Sequence, residues 1–370
     1  MIEGGATDEG TRRYAKRCAP GVPAEHFHLC SPLGLLSSIG IGTYLGNEDA
    51  ATDALYRRAV GRALERGLNV VDTAVNYRGQ RSERAVGAAL ADLIGRGGLA
   101  RDEVVVATKG GYLTGDAESS VEPLAYFTET YLRPGILRPE DVVGGVHCMT
   151  PRYLHDQIER SRTNLGLATL DIYYLHNPET QLQEVDRPTF LRRLRAAFTA
   201  LEQAARDGRI TCYGTATWNG YRQPPGTADY LSLQEVVQAA GDVAGPEHRF
   251  KVIQLPYNLA MPEAFTRANQ QVGADTVPAL HAAQRLGLHV MASASVYQGQ
   301  LTRNLPPVVA EYLPGLTTDA QRALQFVRST PGIGTALIGM KSVAHVEENA
   351  RVAETPPMAW EQFERLFTQG

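Results

Sequence analysis

The feature that most constrains the fold of this chain is a repeated alternation of short β-branched runs with longer segments of helical periodicity. The alternation begins near Leu36 and recurs about eight times. Because two parallel strands need a long crossover between them, it predicts parallel strands joined by helices. One run, EVVVATK, is too uniformly apolar for a half-exposed strand and suits a strand covered on both faces. The predicted strands are Ser38–Tyr44, Asn69–Thr73, Glu103–Lys109, Leu170–His176, Ile210–Thr215, Lys251–Leu255, His289–Ser293 and Thr335–Gly339.

The predicted helices lie between these strands and carry ordinary start and stop signals. Thr150 and Pro151 place a capping hydroxyl before a proline at the first helical position. Ser82 opens another helix with Glu83 in its first turn, and Gly67 ends an earlier one. The predicted helices are Thr52–Arg66, one from Ser82, one from Pro151, Pro188–Asp207, Leu231–Val243, Thr276–Leu286, Asp319–Arg328 and Val343–Ala353.

Eight strand–helix units predict an α/β fold of the (β/α)8 TIM-barrel type, because right-handed crossovers close eight such units naturally into a barrel. The competing architecture is a doubly wound open sheet. That fold usually has fewer units and a Gly-x-Gly-x-x-Gly loop after its first strand, which is absent here. We therefore expect a barrel over residues 32–370, preceded by an N-terminal extension, residues 1–31, that forms an arm or a plug at the barrel bottom.

A long insertion interrupts the repeat after the third predicted strand. It covers Gly110–Met149, about 40 residues, and loops of this length are usually functional or disordered. Its aromatic residues, Tyr112, Tyr126, Phe127 and Tyr131, are too many for a solvated linker. Because it starts at the C-terminal end of a barrel strand, we expect the segment 110–149 to lie over the active site.

The composition excludes several classes of protein. The chain has 36 Lys and Arg residues against 40 Asp and Glu residues, so its net charge of −4 gives no reason to expect nucleic acid or a membrane surface as a partner. No apolar run approaches the roughly 20 residues that a membrane span needs. The first residues lack the apolar core of a secretion signal, and the four scattered cysteines indicate reduced thiols. We therefore expect a cytoplasmic enzyme.

The sequence gives only weak metal-like motifs. His26, His28 and Cys30 are suitable ligand types, but no fourth ligand follows at ordinary zinc spacing. His147 and Cys148 form a similarly weak pair in the insertion. We therefore expect no metal ion in this protein.

Four ionisable residues fall where barrel strands are predicted to end, which is where the active sites of such barrels lie. Asp72, Lys109 and His176 each close a strand, and Tyr77 follows Asp72 by five residues. Each has an ordinary structural explanation as a helix cap, a packing residue or a lysine that reaches out of the barrel mouth. Four such residues at one face, with types that complete a mechanism, instead indicate a catalytic site.

The chemistry of these four residues favours carbonyl reduction. A phenol with a pKa of about 10 is a poor acid at neutral pH, and we expect the Lys109 ammonium to lower the pKa of Tyr77. Asp72 supplies the countercharge that a buried Lys109 needs. His176 can donate a hydrogen bond to the same oxygen that Tyr77 protonates. Such a site polarises and protonates a carbonyl, but it needs a hydride donor that no side chain can be.

At these residues the sequence resembles the aldo-keto reductase superfamily, from about Gly34 to Ala353. The resemblance implies a (β/α)8 barrel, a catalytic tetrad of Asp72, Tyr77, Lys109 and His176, and NADPH (NADP+) as the usual cofactor, with NADH as a second candidate. The matching segments are GIGTYLG at residues 40–46, DTAVNYRGQRSE at residues 72–83, VVVATKG at residues 104–110 and DIYYLHNP at residues 171–178.

The resemblance also implies a cofactor site and a substrate pocket. Tyr44, Tyr112 and Trp218 are the predicted substrate residues. The predicted cofactor-binding residues are Gly42, Thr43, Asp72, Ala216, Thr217, Gln254, Ser293, Ser295, Val296, Gln298, Gly299, Gly339, Lys341, Ser342, His345, Glu348 and Asn349.

The cofactor segments depart from the family pattern in two places. Ser293 replaces the aromatic residue that normally stacks on the nicotinamide, and Tyr297 is a candidate substitute. The Arg often found beside the 2′-phosphate is missing, and Lys341 is the nearest cation. The spacing of His345, Glu348 and Asn349 resembles the potassium-channel β-subunit-like branch of the family.

Three functions are compatible with the sequence. The favoured one is an NAD(P)H-dependent reductase of a small-molecule aldehyde or ketone, with Tyr77 as the general acid. A slow cofactor-binding sensor or regulatory subunit is the second, and a dehydrogenase that oxidises a sugar or secondary metabolite is the third. The sequence names no substrate and gives no indication of a homo-oligomer.

Overall fold

Eight parallel strands close into a barrel in the computed structural model, which describes residues 1–368. The circle is completed where the last of these strands pairs with the first. The prediction of a (β/α)8 barrel is confirmed, and each predicted strand overlaps an observed one. The barrel strands are β3 (Ile39–Gly42), β4 (Val70–Asp72), β5 (Val105–Gly110), β6 (Leu170–His176), β7 (Ile210–Ala216), β8 (Phe250–Pro256), β11 (His289–Ser293) and β12 (Thr335–Gly339).

Helices connect the barrel strands. Asp49 caps the first connecting helix by accepting a hydrogen bond from Thr52 N at 2.8 Å, and Asp186 caps another through Thr189 N at 2.9 Å. Within residues 1–368, no helix is long and apolar enough to cross a membrane. The main helices of the barrel are α2 (Ala50–Glu65), α3 (Arg81–Gly95), α5 (Pro151–Leu165), α6 (Arg187–Arg206), α7 (Leu233–Ala244), α9 (Ala279–Arg285), α11 (Asp319–Ser329) and α12 (Val343–Ala353), and the others are α1 (Asp8–Cys18), α4 (Pro123–Phe127), α8 (Glu263–Thr266), α10 (Pro307–Tyr312) and α13 (Trp360–Thr368).

Two hydroxyl groups that were expected to cap helices have other partners. α3 begins at Arg81, so Ser82 lies inside its first turn and donates a hydrogen bond to the carbonyl of Thr43 at 2.7 Å. That bond ties α3 to the loop after β3. Thr150 precedes α5 as predicted, but its hydroxyl makes no capping bond and lies 3.3 Å from Cys148 Sγ.

The predicted helix Thr276–Leu286 is wrong in its first turn. Those residues belong to β10 (Asp275–Pro278), which pairs antiparallel with β9 (Ala268–Val272). α9 begins only at Ala279. The β-branched pair Thr276-Val277 suits a strand, a signal that the helical periodicity of the following residues conceals.

The N-terminal residues close one end of the barrel. β1 (Phe27–Cys30) and β2 (Gly34–Ser37) form an antiparallel hairpin. From this hairpin, Leu33 and Leu36 pack against the apolar side chains inside the barrel, at the end where its strands begin. A ligand therefore reaches the barrel interior from the opposite end, where the strands finish.

Candidate active site

A cavity of about 790 Å³ opens at the C-terminal ends of the barrel strands. Its lining extends from the ends of β4 and β6 to the start of α12. Lys109 and Ser342 are the two predicted site residues outside the lining, and Lys109 lies buried beside it. The predicted residues that line the cavity are Asp72, Tyr77, His176, Gly42, Thr43, Ala216, Thr217, Gln254, Ser293, Ser295, Val296, Gln298, Gly299, Gly339, Lys341, His345, Glu348, Asn349, Tyr44, Tyr112 and Trp218.

An ion pair lies at the base of this cavity. Lys109 Nζ donates hydrogen bonds to Asp72 Oδ2 at 2.7 Å and to the carbonyl of Thr73 at 2.9 Å. Gln254 Nε2 donates to the other carboxylate oxygen, Asp72 Oδ1, at 2.8 Å. Burial disfavours the charge on Lys109, but Asp72 and Tyr77 outweigh it and raise the pKa of Lys109. Lys109 is therefore a cation at neutral pH.

Tyr77 lies against this cation. Lys109 Nζ is 4.8 Å from the centroid of the Tyr77 ring, and the Tyr44 ring packs edge-on at 4.9 Å. Burial raises the pKa of Tyr77, and Lys109 offsets only part of the rise. Lys109 lowers this pKa as expected, but the cost of burying a phenolate is larger, so the pKa of Tyr77 lies above its ordinary value. At neutral pH, Tyr77 is a protonated phenol.

His176 completes the group of four residues. Its ring centroid is 6.0 Å from that of Tyr77 and 4.9 Å from that of Tyr112. Burial lowers the pKa of His176 well below its ordinary value, and the charge on Lys109 lowers it further. The imidazole is therefore neutral at physiological pH, so one ring nitrogen can donate a hydrogen bond and the other can accept one.

A second histidine, His147, forms a hydrogen bond with the main chain of His176. His147, which is fully buried, lies with Nε2 2.7 Å from the carbonyl oxygen of His176. Gln181 Nε2 is 2.9 Å from His147 Nδ1 and must be the donor, since an amide nitrogen only donates. Nδ1 therefore accepts and Nε2 carries the proton. Burial lowers the pKa of His147 to about 4, which agrees with this neutral form.

Sequence reasoning missed His147 as part of the site because its only local signal is the weak His-Cys pair. Among the described residues, no group of three or more His, Cys, Asp or Glu side chains could hold a metal ion. Other lining residues that were missed match no motif and could be found only from the fold. They include Leu45, Tyr56, Asn76, Asn177, Ala294, Thr302, Ala320, Leu337 and Ile338.

The insertion contacts the site through a small part of its length. Tyr112 is the one residue between positions 111 and 149 that lines the cavity, and its hydroxyl accepts a hydrogen bond from Asn177 Nδ2 at 3.0 Å. Tyr131 and Leu137 instead form a separate apolar cluster with Tyr153 of α5. The insertion therefore contacts the site at Tyr112 and His147, while its apolar cluster packs on α5. That the insertion lies over the active site stays a prediction.

The remaining lining, which we call the groove, comes from the ends of β3, β7, β8, β11 and β12. Two buried oxygens on its walls, Thr217 Oγ1 and Asn349 Oδ1, have no hydrogen-bond partner within the described part of the chain. Buried polar atoms are usually satisfied, so these two suit a polar ligand in the groove. Ser342 caps α12 by accepting from His345 N at 3.3 Å.

Both departures from the family pattern are visible in the groove. Ser293 lines it as a small polar side chain, and Tyr297, the candidate aromatic substitute, is not among the lining residues. Lys341 is exposed at the far end and is the one Lys or Arg in the described lining. A negatively charged group at that end would therefore meet a single cation.

Comparison with known proteins agrees with this geometry. The model of the Aldo/keto reductase family matches residues 38–306, and the chain belongs to that family. Comparison with curated proteins gives no match. None of the solved structures named below is a potassium-channel β-subunit, so resemblance to that branch stays a prediction.

Several solved structures share the fold. An aldo/keto reductase from Klebsiella pneumoniae in complex with NADP and acetate is 22% identical, with a TM-score of 0.60, over 92% of this chain and 95% of that one. An aldo-keto reductase from Bacillus halodurans in its holo form is 20% identical, with a TM-score of 0.62, over 92% and 94%. A glycerol dehydrogenase from Gluconobacter oxydans is 18% identical, with a TM-score of 0.64, over 93% and 94%.

The buried ion pair generates a prediction for Lys109→Met. The substitution leaves Asp72 as an unpaired buried charge, so we expect the free energy of unfolding to fall by about 3–5 kcal/mol. It also removes the only cation beside Tyr77 in the described site, so the pKa of that phenol rises further. Urea unfolding measures the first effect, and the pH dependence of carbonyl reduction measures the second.

The double variant Lys109→Met/Asp72→Asn serves as the control, because it removes both charges and keeps an oxygen that accepts from Gln254. We expect it to recover most of the stability but little of the activity. Full activity in the single variant at neutral pH would contradict a catalytic influence of Lys109.

The hydrogen bond from His147 to the His176 carbonyl generates a second prediction. His147→Phe keeps the ring volume but loses the donor to the His176 carbonyl, so we expect kcat to fall by about tenfold, the effect of losing roughly 1.4 kcal/mol of alignment. His147→Gln has an amide nitrogen that can reach the same carbonyl and should recover part of the rate. If both variants lost the same activity, or if KM alone changed, the hydrogen bond would have no part in positioning His176.

Proposed function

We propose that this protein is an NADPH-dependent reductase of aldehydes or ketones in which Tyr77 is the general acid. The observation that carries the proposal is a protonated phenol held beside a buried ammonium at the open end of the barrel, with a neutral imidazole opposite. These groups face a groove large enough for an extended ligand. Together they provide a proton, a hydrogen-bond donor and a binding site for a hydride source.

The proton moves from the Tyr77 hydroxyl to the substrate oxygen as negative charge develops there. Lys109 stabilises the phenolate that remains, and Asp72 keeps Lys109 charged. Gln254 holds the Asp72 carboxylate, and that carboxylate holds the Lys109 ammonium. The position of the positive charge is therefore fixed before the substrate binds. Charges fixed in this way stabilise a transition state without reorganisation at the moment of reaction.

The neutral state of His176 supports its role as the second contact to the carbonyl oxygen. A cationic imidazole would compete with Tyr77 as the acid and would repel Lys109. A neutral ring can donate one hydrogen bond to the substrate oxygen and hold the carbonyl in line with Tyr77. Tyr112 packs edge-on against the His176 ring, and His147 donates a hydrogen bond to the main-chain carbonyl of His176.

NADPH, when bound, supplies the hydride that no side chain can provide. The groove residues fit such a cofactor, since Thr217 and Asn349 each have an unsatisfied buried oxygen on its wall. Lys341 and the first turn of α12 would hold the phosphate of the adenosine end. The cofactor complex of the Klebsiella pneumoniae enzyme supports this assignment, because the two proteins share a fold and a family.

The protonation state of Tyr77 favours reduction over oxidation at neutral pH. Reduction needs the phenol, whereas oxidation of an alcohol needs the phenolate as a base. Because burial raises the pKa of Tyr77, the phenol is the dominant form at physiological pH. Reduction therefore starts from the dominant form of Tyr77, whereas oxidation starts from its minor phenolate form.

The mouth of the cavity favours substrates with an apolar or ring-containing part. Tyr44 is 55% exposed and Trp218 is 40% exposed, and both line the cavity together with Tyr112. Aromatic faces that remain accessible in a cavity wall offer packing to a flat or apolar group. NADPH oxidation measured against a panel of aldehydes, ketones and sugars tests both the activity and this preference.

The general-acid assignment predicts the behaviour of Tyr77→Phe. This variant removes the proton but keeps the ring, so we expect carbonyl reduction to fall by about 10²–10⁴-fold while cofactor binding stays close to that of the wild type. Tyr213→Phe is the matched control, since Tyr213 is buried outside the site, where its ring packs against Phe198 and Phe250. Near-normal turnover by Tyr77→Phe would exclude the mechanism.

The single cation at the end of the groove predicts the cofactor preference. Lys cannot form the two-pronged contact that Arg gives a phosphate, so we expect NADPH to be preferred over NADH by about tenfold to a hundredfold. Lys341→Ala should weaken NADPH binding and leave NADH binding nearly unchanged, as measured by fluorescence titration. Equal losses for both cofactors, or none, would show that Lys341 does not contact the phosphate.

A further inference from the structure

A second cavity lies at the opposite end of the barrel, where the strands begin. Its volume is about 590 Å³, which lies within the range of roughly 300–1,000 Å³ typical of small-molecule sites. Its walls come from the β1–β2 hairpin, the beginnings of β8 and β11, and the turn between α11 and β12. Because the hairpin closes this end of the barrel, the cavity is separate from the candidate active site.

The lining of this second cavity is basic. Lys251 and Arg328 contribute two positive charges, and His28 and His289 contribute two imidazoles. The described lining residues include no Asp or Glu. Lysine is rare in this chain, which contains four. Lys251 lines this cavity, and Lys109 and Lys341 lie at the other end of the barrel.

Arg328 has donor atoms that nothing in the described chain satisfies. The residue is only 2% exposed. Its Nη1 is fixed by the carbonyls of Val352 and Thr355, the second at 2.9 Å, near the end of α12. Its Nε and Nη2 are buried and have no hydrogen-bond partner among residues 1–368, and the same holds for His28 Nε2. Unsatisfied buried donors are rare in proteins, and several in one place indicate a missing acceptor.

Three of these groups, Arg328, His28 and His289, also affect one another electrostatically. Burial lowers the pKa of His28, and the charge on Arg328 lowers it further. Burial lowers the pKa of His289 to about 3, with a smaller contribution from His28. The cluster therefore has a positive potential that its own residues do not neutralise. An anion in the cavity would relieve both the repulsion and the missing hydrogen bonds.

We propose that this cavity binds a phosphate group, either as free phosphate or as part of a phosphorylated metabolite. A phosphate monoester carries close to two negative charges at neutral pH and has three acceptor oxygens. Two cations match that charge, and the neutral imidazoles of His28 and His289 can donate further hydrogen bonds. The volume of the cavity leaves room for an organic group beside the phosphate.

Calorimetric titration of the full chain tests this proposal, with inorganic phosphate and glucose 6-phosphate as probes and sodium chloride balancing the ionic strength. We expect the wild-type protein to bind at least one of the two. Lys251→Gln should weaken that binding by about tenfold, the effect of losing one charged contact, and Lys251→Glu should abolish it. Tighter binding of glucose 6-phosphate would assign the site to a metabolite, and equal binding would assign it to free phosphate.

Two matched lysine variants distinguish this cavity from the rest of the surface. Lys16→Gln changes an exposed lysine of α1 and should bind as the wild type does. Lys341→Ala removes the cation of the candidate cofactor groove, which is a separate place for phosphate to bind, and should leave the binding that depends on Lys251 unchanged. Binding that survived Lys251→Glu, or that was lost in Lys341→Ala instead, would overturn the proposal. Because Lys251 lies outside the candidate active site, this outcome is independent of the proposed reductase activity.

Discussion

The ion pair of Lys109 and Asp72 is the interaction on which the rest of the candidate site depends. Lys109 has no exposed surface, and removing two charges from water costs several kcal/mol for each ion. The pair is held because Thr73 and Gln254 supply additional hydrogen bonds. The charge on Lys109 then affects the pKa values of two neighbouring residues. Burial raises the pKa of Tyr77, and Lys109 limits that rise. Burial also lowers the pKa of His176, and Lys109 lowers it further, so both neighbours are neutral at physiological pH.

The register of the barrel explains why these residues meet. Asp72 lies opposite Ala107 in the ladder between β4 and β5, and Lys109 follows Ala107 by two residues. Lys109 in turn lies opposite Tyr174, and His176 follows Tyr174 by two residues. A displacement of two residues keeps a side chain on the same face of a strand. The stagger that closes the barrel therefore places all three side chains on its inner face, each one step further along the next strand.

Much of this arrangement could be predicted from the sequence, because periodicity and strand ends are local properties. The eight strands and the family were predicted correctly, and the structure brings Asp72, Tyr77, Lys109 and His176 together. The sign of the change in the pKa of Tyr77 could not be predicted, since it depends on how completely the phenol is buried. The β9–β10 hairpin was missed because its residues precede a true helix. His147 was missed because its partner is a backbone carbonyl, which leaves no trace in the sequence.

The central claim is that Tyr77 is a protonated phenol at neutral pH, held beside a charged Lys109. An NMR titration of protein labelled at tyrosine Cζ measures this directly, with the Tyr77 signal assigned by its absence from Tyr77→Phe. The account predicts that the Tyr77 signal shows no ionisation through neutral pH and begins to shift only above the ordinary tyrosine pKa of about 10. A Tyr77 that ionised near neutral pH would contradict it, because the residue would then be a base and not the acid that carbonyl reduction requires.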